Sequence, residues 1–371
     1  MRKTIAMLIC LALMLSLLPG CAARPEPAPA ETEPVPAETP AAAAETEAPA
    51  ETEATPEPTE EIAPEETRGH YRFQPKVCSS YMTEVFGEAM TETWFSLVDA
   101  LMAGETSFAC PDEDTYWWVM GQYPDQCFPV LKDLIYYTYD VDNPVKDGVA
   151  EFTYTVPQEE AAARIADFVA LVEDILNETL RDDYSDAEKA LALYLYFSHH
   201  YIYDYESARP DFAPTYLSSY RVLTTGTGIC QEFSVAYSYL LLQAGVDAGV
   251  MSGHCSWTPE GHQWSYVKIN GHNFHIDPTF VISDQDSLRY FMMTDEKREE
   301  EDCYEQASFY AVSHYSRENP HPAYVADDET FRPLWDGMFE SFDHAKHTVY
   351  CPKEQSEFGE WTYLTFDYTG Y

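Results

Sequence analysis

Gly228-Ile229-Cys230-Gln231-Glu232-Phe233, then His262-Gln263-Trp264, then His275-Ile276-Asp277-Pro278-Thr279, is the part of the chain from which the rest can be read. Cys230 stands at the start of an apolar run (Val235, Ala236, Tyr239, Leu240, Leu242) that stops at Ala244-Gly245, the pattern of a helix with the cysteine in its first turn. A helix N-terminus favours a thiolate, and its free backbone amides suit a developing oxyanion. The preceding Thr224-Thr225-Gly226-Thr227-Gly228 reads as a flexible turn that lets the backbone approach a substrate. Downstream, Ala248 to Met251 reads as a strand, and His262 to Ile269 alternates as a second one. Asn270-Gly271 is a type I′ hairpin signal, and His272 to Asp277 is the returning strand. Pairing across that turn brings His262 and Asp277 together. The chain order Cys, His, Asp is then nucleophile, base and orienter, as in covalent acyl chemistry by a thiol.

Together these motifs resemble the transglutaminase-like superfamily of papain-type cysteine enzymes over about residues 185–281, through Gly228-Ile229-Cys230-Gln231, Leu242-Gln243-Ala244-Gly245-Val246, His262-Gln263-Trp264 and His275-Ile276-Asp277-Pro278-Thr279. The resemblance implies an α+β fold: a papain-like core in which the helix bearing the cysteine packs on an antiparallel sheet bearing the histidine and aspartate, with N- and C-terminal additions. It implies Cys230 as nucleophile, His262 as base and Asp277 as orienter, acting on amide bonds of peptides or proteins through a thioester. For a lipid-anchored bacterial member it implies a peptidase or amidase ahead of a cross-linking transamidase. Phe291-Met292-Met293-Thr294-Asp295 resembles a segment that often follows the core in bacterial members, and Tyr216 and Tyr220 are candidates for completing the oxyanion hole. The rival from another class is a catalytically silent surface module that binds peptide or cell-wall polysaccharide, which has no need of all three residues.

His254, Cys255, His262, His272, His275 and Asp277 are dense enough to suggest zinc. Strand parity opposes it, because His272 and His275, three apart, face opposite sides; His275, on the face of Asp277, suits a supporting role. Asp112, Glu113, Asp114, Asp284 and Asp286 match no calcium loop. No metal or cofactor is expected.

The chain opens as a targeting signal over residues 1–20: Arg2 and Lys3 precede an apolar run, Ile5 to Leu18, too short to span a membrane. Leu18-Pro19-Gly20-Cys21 resembles a bacterial lipobox, which makes Cys21 the lipid attachment site and places the protein outside the cytoplasm on a membrane anchor. Residues 22–68 hold 13 Glu, 10 Pro, only 2 Arg and no aromatic residue. Such a composition cannot bury enough apolar surface to order itself, so residues 21–68 read as a disordered tether. Taking the +2 of the signal and the −11 of the tether from the formal −43 leaves −34 on residues 69–371. That charge excludes nucleic acid as a partner and leaves membrane attachment to the lipid.

The remaining chain divides into an N-terminal α/β region (69–184), the core (185–281) and a C-terminal appended subdomain (282–371). Tyr81 to Met102 has helical spacing. Ile135 to Tyr139 and Ala150 to Thr155 read as strands of a hairpin, with Trp117, Trp118, Tyr136, Tyr137 and Tyr154 as core or groove aromatics, core being the expectation. Pro157 precedes a helix over 158–180, and Ser185-Asp186-Ala187-Glu188 is a capping box opening another through His199. His199 and His200 are adjacent on that helix, so they read as structural or solvent-facing. Asp295 to Asp302 reads as a charged helix and Trp361 to Tyr368 as an edge strand. Apart from Cys10, Cys21 and Cys230, six cysteines remain (Cys78, Cys110, Cys127, Cys255, Cys303, Cys351); they allow 15 pairings or none.

Overall fold

The computed structural model describes residues 69–137, 142–209, 217–254, 261–301, 308–309, 324–355, 359 and 361–371. Cys21, Tyr216, Cys255 and Cys303 lie outside the described residues, as do the signal and the whole stretch before Gly69.

The N-terminal region starts with helices α1 (Ser80–Phe86) and α2 (Glu88–Met102). The single helix expected over Tyr81 to Met102 is broken at Gly87, whose φ of 90° lies where a residue with a Cβ is strained. Strand β1 (Ser107–Ala109) and helix α3 (Glu113–Cys127) follow; Asp112 caps α3 by accepting from the Thr115 amide at 2.8 Å. The short α4 (Leu131–Leu134) leads into β2 (Ile135–Tyr137). Strands β3 (Val145–Lys146) and β4 (Val149–Tyr154) are joined through Asp147-Gly148, both at positive φ. The tight turn therefore serves β3, while β2 pairs with β4 antiparallel, Ile135 opposite Tyr154. Trp117 and Tyr137 pack together at 5.1 Å against the core, whereas Tyr136 is 59% exposed.

Helix α5 (Gln158–Thr179) buries Phe168, Val172, Ile175 and Leu176. Helix α6 (Asp186–His200) begins with the expected capping box, Glu188 accepting from the Ser185 amide at 2.6 Å. His199 is exposed and paired with Asp286; His200 is exposed and stacks on Tyr196 at 4.0 Å.

The core is helix α8 (Cys230–Gln243) on the sheet β10-β7-β8-β9, made of β7 (Asp247–His254), β8 (Gly261–Ile269), β9 (His272–Ile276) and the distant β10 (Ser308–Phe309). The β8–β9 hairpin turns at Asn270 and Gly271, both at positive φ, with Ile269 opposite His272. Both faces of the hairpin are covered: Trp264 and Tyr266 on one side, and Val267 with its partner Phe274 on the other, are fully buried. Helix and sheet are also stitched by buried hydroxyls. Ser238 Oγ donates to the Gly249 carbonyl at 2.7 Å, and Ser265 Oγ donates to the Ser234 carbonyl at 3.0 Å.

Residues beyond the core fold back over it. Helix α9 (Phe280–Ser283) packs on α6 with Phe280 against His262, helix α10 (Asp295–Glu300) packs beside β9, and a small sheet of β11 (Ser341–Asp343), β12 (Thr348–Gln355) and β13 (Trp361–Asp367) ends the chain. That sheet is tied to the core by Glu188, 1% exposed, which accepts from Tyr368 Oη at 2.6 Å and contacts His344 Nδ1 at 2.8 Å. Among the described residues no helix is long and apolar enough to cross a membrane.

Glu188→Ala leaves the buried Tyr368 hydroxyl without its acceptor and takes away a partner of the half-buried Ser185 amide and His344 ring, so we expect it to destabilise the fold by about 2–4 kcal/mol, and Glu188→Gln, which keeps an acceptor, by less. Urea denaturation of the two variants checks the order.

Candidate active site

Cys230 occupies the first position of α8 because Ile229 before it is extended and the chain turns helical at the cysteine. The approach is built by a parallel pair, β5 (Ile202–Tyr203) with β6 (Thr227–Gly228), and by helix α7 (Ser219–Thr225). Gly226, at φ 72°, ends α7. A Cβ on Gly228 would lie 2.3 Å from Val222 Cγ2 and 3.2 Å from Glu232 Oε2, so this glycine is required by packing inside the protein.

Glu232, one turn into α8 and 1% exposed, locks that approach. Its carboxylate accepts from the Ile229 amide at 3.1 Å and the Ser218 amide at 2.9 Å, and Arg221 Nε donates to it at 2.7 Å. Arg221 also reaches Asp204 at 2.9 Å. Burial pushes the Glu232 carboxyl up, and the Arg221 guanidinium works against that rise. Tyr220 turns its ring onto Phe168 of α5 at 5.7 Å, so the structure places this oxyanion candidate in an aromatic contact with another helix.

His262 opens β8 and Asp277 follows β9, and the hairpin brings them together: His262 Nε2 lies 2.7 Å from Asp277 Oδ2, both side chains fully buried. Asp277 is held from behind by the turn after it, its Oδ1 accepting from the Thr279 amide at 3.0 Å and the Phe280 amide at 3.3 Å. With Nε2 facing the carboxylate, Nδ1 is the imidazole nitrogen left for Cys230, which is 5% exposed and hydrogen-bonded to His262. The ring is clamped against Phe280 at 4.7 Å and 7° and faces Trp264 at 5.9 Å.

The electrostatics follow from this burial. Desolvation opposes a charge on His262, but Asp277 and Cys230 outweigh it and push the imidazole up to about 9. Desolvation likewise opposes a charge on Asp277, and the His262 and Arg298 charges overcome it, drawing the carboxyl down to about 2. An imidazolium held between a carboxylate and a thiol is the arrangement that keeps a cysteine ionised.

Sequence reasoning did not reach Arg298. This fully buried side chain of α10 places Nη1 2.8 Å from the same Asp277 Oδ2 that His262 uses. Its guanidinium lies 4.3 Å over the Trp264 ring and 5.6 Å from the Phe280 ring. It sits in the run Asp295-Glu296-Lys297-Arg298-Glu299-Glu300, which reads as a solvated helix, so the only signal was one arginine one turn after an acid.

The metal candidates are dispersed. His275 is buried between Trp264 Nε1, which donates to its Nδ1 at 2.9 Å, and Asp295 at 2.8 Å. His272 is half-exposed on the other face beside Asp328. The side chain of His254 lies outside the described part, and among the described residues no three His, Cys, Asp or Glu side chains gather to hold a metal. The described cysteines Cys78, Cys110, Cys127, Cys230 and Cys351 are free thiols, with Cys127 Sγ 3.7 Å from Met82 Sδ.

Residues 173–278 match the family model of the Transglutaminase-like superfamily. Among solved structures, the chain is similar to a candidate cysteine protease from Cytophaga hutchinsonii, with 20% identity over 25% of this chain and 31% of that one and a TM-score of 0.22. It is also similar to a structure named as a TGase, with 22% identity over 34% of each chain and a TM-score of 0.28. The chain thus spans about a third of the length of these two. No curated protein matches it. Residues 173–278, which contain Cys230, His262 and Asp277, form a transglutaminase-like domain of α+β architecture.

Proposed function

We propose that the protein is a cysteine enzyme acting on amide bonds of peptides or proteins, with Cys230 as nucleophile, His262 as acid and base, and Asp277 as orienter. The observation that carries this reading is the buried relay from Cys230 through His262 to Asp277, with the Nε2–Oδ2 distance at 2.7 Å. The thiolate attacks the carbonyl carbon, and the π electrons move to oxygen. The tetrahedral intermediate then collapses, breaking the C–N bond as His262 gives its proton to the leaving amine. A thioester on Cys230 remains, and His262, now neutral, takes a proton from the attacking water or amine as the acyl group departs.

The acceptor favoured in this reading is water, making the enzyme a peptidase or amidase. The sequence before Gly69 supports an extracytoplasmic location, with the protein held on a membrane by a lipid on Cys21 and set off from it by the acidic tether. Its partners are then peptide or protein substrates and the membrane.

Acid-quenched incubation of the full chain with a panel of peptide amides, read by intact mass, is expected to show an acyl adduct confined to Cys230. Cys230→Ala should lose adduct and turnover, and His262→Ala should lower turnover by about 10²–10⁴-fold. Turnover that survives in Cys230→Ala contradicts the proposal. With a primary amine added, the free acid should remain the main product; a predominance of amine conjugate would overturn the hydrolytic assignment.

His262 also links stability to pH. Its folded value lies above the unfolded one of about 6.5, so its stabilising contribution is complete below pH about 6.5 and fades as pH rises through about 9. The expected result is that His262→Gln lowers the thermal midpoint clearly at pH 6 and much less at pH 10. An equal loss at both would contradict the charged pairing.

A further inference from the structure

A guanidinium is costly to bury, and a methionine would fill the same space beside Trp264 and Phe280 without that cost. Arg298 is nevertheless 0% exposed, with its charge against Asp277 Oδ2. The charges explain the choice. If Cys230 is a thiolate and His262 an imidazolium, these two cancel, and Asp277 is left as a buried negative charge. Arg298 cancels it.

The other titratable groups around this cluster do not. Burial pushes Tyr194 and Tyr290 up, so both remain neutral phenols. His275 accepts from Trp264 at Nδ1, leaving Nε2 as the donor to Asp295, and it is therefore neutral. Glu301, facing Arg298 from the end of α10, is matched by Arg289 at 2.7 Å and Lys297 at 2.6 Å. Asp295 anchors the N-terminal end of α10 through His275, and the Thr294 hydroxyl accepts from the Lys297 amide at 3.1 Å, which fixes the helix that delivers Arg298.

We propose that Arg298 is a positioning residue of the thiol site: it shares one carboxylate oxygen of Asp277 with His262 and supplies the fixed positive charge that balances the buried Cys230–His262–Asp277 set. The segment after the hairpin thereby completes the site. This rests on reading Cys230 and His262 as a thiolate–imidazolium pair.

The experiment is the pH dependence of Cys230 alkylation by iodoacetamide, located by mass spectrometry, in the full chain and in Arg298→Met and Arg298→Lys. Removing a buried positive charge raises the pKa of each acid near it, so the acid limb of the Arg298→Met profile should move up by about one pH unit or more. Arg298→Lys, which keeps the charge, should restore most of that shift. A folded Arg298→Met with the wild-type profile overturns the proposal. If the unsubstituted protein itself titrates as an ordinary thiol near about 8.5, the underlying pair is absent and both readings fall together. If Arg298→Met does not fold, Arg298→Met with Asp277→Asn decides: recovery of folded protein supports the pairing, because the orphaned charge is gone, and no recovery overturns it.

Discussion

One carboxylate, buried beyond reach of water, sets the terms for the site. Asp277 is fully buried with a charge that desolvation disfavours, and that charge persists because three parts of the chain converge on it. The β8–β9 hairpin supplies His262, the turn after β9 supplies two backbone amides, and α10 supplies Arg298. Removing one partner from a buried set of this kind costs far more than the pair contributes when complete, roughly 3–5 kcal/mol in comparable cases. The site is therefore a structural commitment as well as a chemical one.

The scaffold reads as the means of meeting that commitment. The hairpin turn at Asn270-Gly271 sets the register that brings β8 and β9 side by side, and buried hydroxyls hold α8 against the sheet so that Cys230 meets the imidazole. Glu232 and Arg221 fix the strand–helix junction ahead of the cysteine. Phe280, Trp264 and the guanidinium of Arg298 surround the His262–Asp277 pair with flat surfaces that exclude water and hold the imidazole plane. Low dielectric then strengthens each charge contact.

What was legible in the sequence was legible because local rules decide it. Asn270-Gly271 is a hairpin whatever surrounds it, the Ser185–Glu188 capping box acts within one helical turn, and an apolar run opened by cysteine and closed by Ala244-Gly245 has few other readings. The hairpin register brings His262 and Asp277 to the same end of β8 and β9, on one face. Where the reading missed, a longer-range or conformational effect prevailed. Gly87 divides a continuous apolar stripe into two helices through its backbone, which periodicity does not register. Arg298 lies in a charge run that on its own belongs in water, and only the docking of α10 on β9, through Asp295 and His275, carries it inside. The pairing of β10 with β7 has no local signature at all.

The thiol chemistry depends first on the protonation state of His262, which nitrogen NMR of histidine-labelled protein reads from the chemical shifts of Nδ1 and Nε2, assigned by comparison with His262→Gln. The expected result is an imidazolium at pH 7 that loses its proton only near pH 9. In Cys230→Ala that loss should come at lower pH, because the thiolate no longer supports the charge. A neutral imidazole at pH 7, or one that titrates near its ordinary value of about 6.5 with and without the thiol, would contradict it.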